Sequence, residues 1–176
     1  PVLVFIPDQE INEDQNLLLN IDASDVDGDD ISYDAQLLSG DGDLSLTSNS
    51  LTFIPTSNWF GNASINISIS DGEYVAEQSF NILVNPINDV PTASDVAVAI
   101  DEDTQVSFDF PVSDIDNELD DLSILILSNP SLGQLTVNGL SATYVTNQDL
   151  NGIDVIEYKV TDGSLSSSSQ FLTIHI

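Results

Sequence analysis

Cysteine and methionine are both absent from this 176-residue chain, and Lys and Arg together number one. Without cysteine there is no disulfide framework and no thiolate metal site. No apolar run approaches the roughly 20 residues that a membrane helix needs, and no signal peptide is recognisable at Pro1, so the chain reads as an internal piece of a longer protein. The scarcity of cations has the largest consequences. Against 30 Asp and Glu residues the formal net charge is −29. Such a chain is repelled by phosphate backbones and anionic membrane surfaces, which excludes nucleic-acid binding. The same carboxylates repel one another with few internal cations to offset them, and metal ions are the expected complement. A hydrophobic share of 41% is enough for packed cores, and at about 100 residues per β-sandwich the length suits two domains.

The two halves repeat. Glu13-Asp14 matches Glu102-Asp103 (102 − 13 = 89), and Asp25-Val-Asp27 matches Asp114-Ile-Asp116 (114 − 25 = 89). Gly61 matches Gly152 and Asp71-Gly72 matches Asp162-Gly163, both at an offset of 91 (152 − 61 and 162 − 71). Four motifs in one order mark an internal repeat, with a small insertion in copy two expected between Asp116 and Asp121. Between the copies lies Asn85-Pro-Ile-Asn-Asp-Val-Pro91, whose prolines and turn formers cannot continue a central strand. The expected domains are residues 1–86 and 87–176.

Within each copy the period is two. Ile65, Ile67 and Ile69 alternate with Asn66, Ser68 and Ser70, and Ile156, Tyr158 and Val160 alternate with Glu157, Lys159 and Thr161. One face is apolar and the other polar, as a half-buried strand requires. Asp71-Gly72 and Asp162-Gly163 follow these strands, where a turn must send the chain back as Gln78 to Val84 or Ser169 to Ile176. No segment sustains a 3.6-residue period. The expected fold is all-β: two tandem Greek-key sandwiches of about seven strands each, of cadherin or Ig type.

That topology turns the acidic pattern into a site. With seven strands labelled A to G, the Asp-x-Asp pairs fall between B and C and Asp71 or Asp162 between F and G, all at the N-terminal end of a sandwich. Glu13 and Glu102 fall between A and B at the other end. Around residues 85–91, Glu13 of copy one is therefore expected to meet Asp114, Asp116 and Asp162 of copy two, with Asn88 and Asp89 between them. Only oxygen ligands are on offer there. Calcium, which takes 6–8 oxygens in flexible geometry, is the expected cofactor, rather than zinc or copper, which prefer nitrogen or sulfur, or magnesium with its strict octahedron.

Ile11-Asn-Glu-Asp, Ala23-Ser-Asp-Val-Asp-Gly-Asp, Trp59-Phe-Gly-Asn, Ile69-Ser-Asp-Gly and Asn85-Pro-Ile-Asn-Asp-Val-Pro resemble the bacterial cadherin-like tandem repeats of large secreted adhesins. Ile100-Asp-Glu-Asp, Val112-Ser-Asp-Ile-Asp, Asp149-Leu-Asn-Gly and Val160-Thr-Asp-Gly repeat the likeness in copy two. What the resemblance implies is calcium held at the junction by Glu13, Asn88, Asp89, Asp114, Asp116 and Asp162. Asp25, Asp27 and Asp71 form the corresponding half-site at the N-terminal end of copy one. The linker order differs from that of animal cadherins, so either Asn88 or Asp89 supplies a side chain and the other a carbonyl. The implied role is an extracellular or cell-surface spacer whose partners are adjacent repeats of the same protein.

Other readings of the same residues are weaker. Asp25-Val-Asp-Gly-Asp begins like an EF-hand loop, but Asp30 and Gln36 stand where the turn glycine and bidentate glutamate belong. A carbohydrate-binding module, using Trp59, Phe60, Tyr33 and Tyr74 as stacking surfaces, is the alternative function, although Trp59 and Phe60 are expected in the core. Lys159 and the single histidine, His175, are expected on outward strand faces. Asn62-Ala-Ser and Asn66-Ile-Ser match the glycosylation sequon. No cofactor motif or distinct base is present, and no enzymatic activity is expected.

Overall fold

A computed structural model describes all of residues 1–176. The chain separates into two compact units, Pro1–Ile87 and Asn88–Ile176. No helix is long and apolar enough to cross a membrane.

Unit 1 opens with β1 (Val2–Leu3) and β2 (Gln9–Asn12), two halves of one strand interrupted at Pro7, which lacks the N–H a ladder needs. Strands β3 (Leu17–Asn20) and β4 (Ala23–Ser24) are likewise two halves of the second. Five full strands follow: β5 (Ser32–Ser39), β6 (Gly42–Thr47), β7 (Ser50–Pro55), β8 (Gly61–Ser70) and β9 (Val75–Asn85). They form a four-stranded sheet in the order β2-β9-β8-β5 and a three-stranded sheet β3-β7-β6, with β1 pairing β4. Counting the split strands once gives seven. The alternation read in β8 is the packing: Ile65, Ile67 and Ile69 are fully buried and face Leu51 and Phe53 of β7 across the core. Each such side chain contributes about 1.5–3 kcal/mol by leaving water.

Unit 2 repeats this plan. Its elements are β10 (Thr92–Ala93), β11 (Val96–Ala99), β12 (Gln105–Asp109), β13 (Val112–Ser113), β14 (Ser123–Ile126), β15 (Gly133–Asn138), β16 (Ser141–Thr146), β17 (Ile153–Thr161) and β18 (Gln170–His175). The sheets are β11-β18-β17-β14, β12-β16-β15 and the β10-β13 pair. Strand β14 begins 91 residues after β5, whereas β13 begins 89 after β4, so the two extra residues lie between them, at the 3-10 turn Leu119–Asp121.

The units solve two packing problems differently. Where the first strand crosses between sheets, Gln78 clamps Ile6 in unit 1, accepting from Ile6 N at 3.0 Å and donating to Ile6 O at 2.6 Å. In unit 2 the hydroxyl of Tyr158, at the position of Ile67, donates to Ser94 O instead. Burial, then the charge of Asp95, pushes that phenol up to about 12. The second difference is a buried carboxylate. Asp154, 1% exposed, stands where unit 1 has Ala63, and Tyr144 stands where it has Phe53. Asp154 accepts from Ser131 N, Ser131 Oγ, Leu132 N and Tyr144 OH at 2.7–2.9 Å. Burial pushes its pKa up, but the hydrogen bonds from Leu132, Ser131 and Tyr144 outweigh that and leave it lowered. Unit 1 fills the same region with Trp59, against Gly40.

Gly133 shows how tightly this ring is held. A Cβ there would lie 2.4 Å from the Tyr144 ring and 2.5 Å from Val145 O, backbone and core atoms that cannot both retreat. Gly133→Ala is expected to destabilise unit 2 by about 1–3 kcal/mol, the usual cost of overpacking, and to leave unit 1 unaffected. Thermal unfolding followed by near-ultraviolet circular dichroism checks this; an unchanged unit 2 transition contradicts it.

Candidate metal centre

The acidic loops share a local logic in which one oxygen of a carboxylate organises its own turn while the other is left for something else. In unit 1, Asp25 Oδ1 accepts from the amides of Asp27, Gly28 and Asp29 at 2.8, 3.0 and 3.3 Å. Asp71 Oδ1 accepts from Glu73 N and Tyr74 N at 2.8 and 2.7 Å. Their second oxygens, Asp25 Oδ2 and Asp71 Oδ2, turn to one point, each 3.1 Å from the Pro1 nitrogen. Hydrogen bonds from Tyr74 and Glu73 lower Asp71 to about 2. Asp71 stays ionised throughout the neutral range. Asp27 joins them only through its amide.

In unit 2 the same two turns draw in the linker residues. Asp114 Oδ1 accepts from Asp116 N and Asn117 N at 2.9 and 3.0 Å. Asp162 Oδ1 accepts from Ser164 N and Leu165 N at 2.5 and 2.6 Å. Asn88 Nδ2 donates to Asp162 Oδ2 at 2.7 Å, and Asp89 N donates to Asp116 Oδ2 at 2.6 Å. Asn88 is the first cause of the lowered pKa of Asp162. Thus Asn88, Asp89, Asp114, Asp116 and Asp162 are gathered into one network. Asp114 Oδ2 is buried and has no hydrogen-bond partner.

Glu13 lies at the opposite end of unit 1 from Asp25 and Asp71. Its amide donates to Asn85 O at 2.9 Å, and its Oε1 accepts from Ile87 N. Its Oε2 is buried without a partner. An orphaned anionic oxygen costs at least about 1–3 kcal/mol, and more when charged. Glu13 in unit 1 and Asp114 in unit 2 each leave one such oxygen, the kind of ligand a hard divalent cation takes. No three carboxylates already converge around one point.

Asn117 was not singled out in the sequence, and Asp14 and Asp103 served there only as markers of the repeat. Asn117 Nδ2 donates to both Asn88 Oδ1 and Asp114 Oδ1 at 3.3 Å; its counterpart in copy one is Gly28, so the repeat alignment marks the site where the copies differ. Asp14 and Asp103, both at φ 59°, accept from Asn58 N and Asp149 N at 3.1 and 3.0 Å, tying each A–B turn to the E–F corner.

The aromatic residues do not assemble into a sugar platform. Trp59 packs against the core and Tyr33 is half-buried on it. Phe60, expected in the core, is 53% exposed, because the turn at Asn58, with φ 58°, sends consecutive side chains to opposite sides. Phe60 and Tyr74 flank opposite ends of the ten-residue strand β8, about 33 Å apart at a strand's rise.

Fold and loops together define a tandem of Ig-like Greek-key sandwiches with carboxylate-rich turns. The chain belongs to the bacterial Ig domain family, whose profile matches residues 1–83 and 88–175. A stretch of 87 residues is 34% identical to the integrin beta-like protein E of Dictyostelium discoideum, covering 47% of this chain and 4% of that protein. Among solved structures, the first two repeats of human protocadherin-24 align over 96% of this chain and 93% of theirs, with a TM-score of 0.62 and 15% identity. Repeats one to four of Drosophila N-cadherin align over 97% of this chain and 49% of theirs, with a TM-score of 0.56 and 15% identity. At these identities the cadherins share the fold.

Proposed function

We propose that the chain is a non-enzymatic, calcium-binding spacer, two tandem repeats of an extracellular bacterial adhesin stiffened at their junction by a shared ion. The observation that carries the reading is the pair of buried, partnerless carboxylate oxygens, Glu13 Oε2 and Asp114 Oδ2. Glu13, Asn88, Asp89, Asp114, Asp116 and Asp162 would hold the ion, and Asp25, Asp27 and Asp71 would serve a preceding repeat. Bound calcium supplies a hard divalent charge that accepts 6–8 oxygens.

The chain's own residues do the rest. Glu13 holds Ile87 N, and Asn88, the next residue in the chain, holds Asp162. Anionic groups of both units therefore grip consecutive linker residues, and a cation would remove the repulsion between them. Extracellular calcium modules bind at roughly 10⁻⁴–10⁻³ M, so the site would fill in millimolar calcium outside the cell.

Small-angle scattering with calcium and with chelator tests this. The expected result is a narrower distribution of shapes with a larger maximum dimension in calcium, a response lost in Asp114→Ala and Asp116→Ala. Identical profiles in calcium and chelator overturn it.

A further inference from the structure

The outer face of the four-stranded sheet differs sharply between the units. In unit 1 it carries Asp34, Gln36, Asn62, Ser64 and Ser79. At the same register positions, 91 residues on along β14 and β17, unit 2 carries Leu125, Leu127, Ile153 and Val155. Phe171, which pairs with Glu157 as Ser79 pairs with Asn66, completes the set. These five side chains are between 39% and 59% exposed. The fold does not require them, since unit 1 builds the same five positions with polar residues, although its own outer face carries Leu83. A contiguous apolar area on one sheet face marks a binding surface.

The charges on this face indicate what covers it. In a chain of net charge −29, the outward positions of β17 in the midst of this patch are Glu157 and the chain's single lysine, Lys159, which cancel. Apart from Asp95 at its edge, whose Oδ1 accepts from Phe171 N at 2.8 Å, this face lets another copy of so anionic a chain approach without carboxylate meeting carboxylate. A two-fold axis brings identical surfaces together. Because Glu157 and Lys159 lie two residues apart on one strand face, antiparallel apposition places each against its opposite. Four strands about 4.8 Å apart, over roughly 25 Å of length, offer on the order of 500 Å² per copy. The total, about 1,000 Å², lies in the range of weak, transient interfaces. We propose that this face of unit 2 is a self-association surface that packs against the same face of a second copy of the chain.

Sedimentation equilibrium of the full chain tests the proposal, run in chelator so that the metal site plays no part. Ionic strength is raised from roughly 0.1 M to 1 M, where the Debye length falls from about 10 Å to about 3 Å. The expected result is a reversible dimer that tightens with salt, because screening removes the repulsion of two anionic bodies and leaves apolar burial. Val155→Ser and Phe171→Ser, which install the residue unit 1 carries at each place, are expected to weaken the dimer at least about tenfold. Both positions are exposed, and an unchanged unfolding midpoint shows that the variants fold. Leu18→Ser, on the exposed surface of unit 1, is expected to leave the dimer intact. A chain that stays monomeric at every salt concentration overturns the proposal, and the face then serves another partner or none. A dimer indifferent to both variants, or one that dissolves as salt rises, overturns it equally.

Discussion

In calcium at about a hundred times its dissociation constant, the unfolding midpoint of unit 2 is expected to rise by roughly 10–20 °C. Ligand occupancy at that level stabilises the folded state by about 2.7 kcal/mol, and each kcal/mol moves the midpoint of a domain this size by about 4–8 °C. Asp114→Asn separates the two jobs of that side chain. The amide keeps an oxygen for Asp116 N and Asn117 N, so the loop should fold and the calcium-free midpoint change little. It removes the charge on the buried, partnerless oxygen, so most of the calcium response should vanish. Calorimetry on both proteins checks this. A wild-type midpoint indifferent to calcium, or a full response in Asp114→Asn, contradicts it.

Asp154→Ala is expected to cost unit 2 about 3–5 kcal/mol, the range for breaking a buried charged network by removing one partner. The substitution leaves Ser131 N, Leu132 N and Tyr144 OH without their acceptor. Tyr144→Phe, which removes a single donor, should cost about 1 kcal/mol. Acidity gives a second readout. The folded carboxyl is held below its ordinary value, so the network's contribution is complete above about pH 3.9 and fades as pH falls through the folded value. The gap between wild type and Asp154→Ala should therefore narrow in acid. Urea unfolding at neutral and acidic pH measures it, and a gap that widens in acid contradicts the assignment.

Asp154 also shows where sequence reading stops. In Ile153-Asp-Val-Ile-Glu-Tyr-Lys-Val it occupies an inward position of an alternating strand. Only its contacts with Ser131, Leu132 and Tyr144, 10 to 23 residues away, reveal why a carboxylate is tolerated there. Phe60 failed for a related reason: composition places aromatics inside, but a left-handed turn at Asn58 decides which of two adjacent rings goes in. The all-β fold, by contrast, was legible throughout, because a period of two in Ile65–Ser70 and Ile156–Thr161 already separates a buried face from an exposed one.

The duplication, the strand faces and the choice of oxygen-rich turns were determined by the sequence alone, since spacing and alternation act within a few residues. Which oxygen of each carboxylate is consumed by its own loop was decided only by tertiary structure, as were the buried acid in unit 2 and the apolar outer sheet there. These depend on groups brought together from distant parts of the chain, whose hydrogen bonds and burial no local pattern encodes.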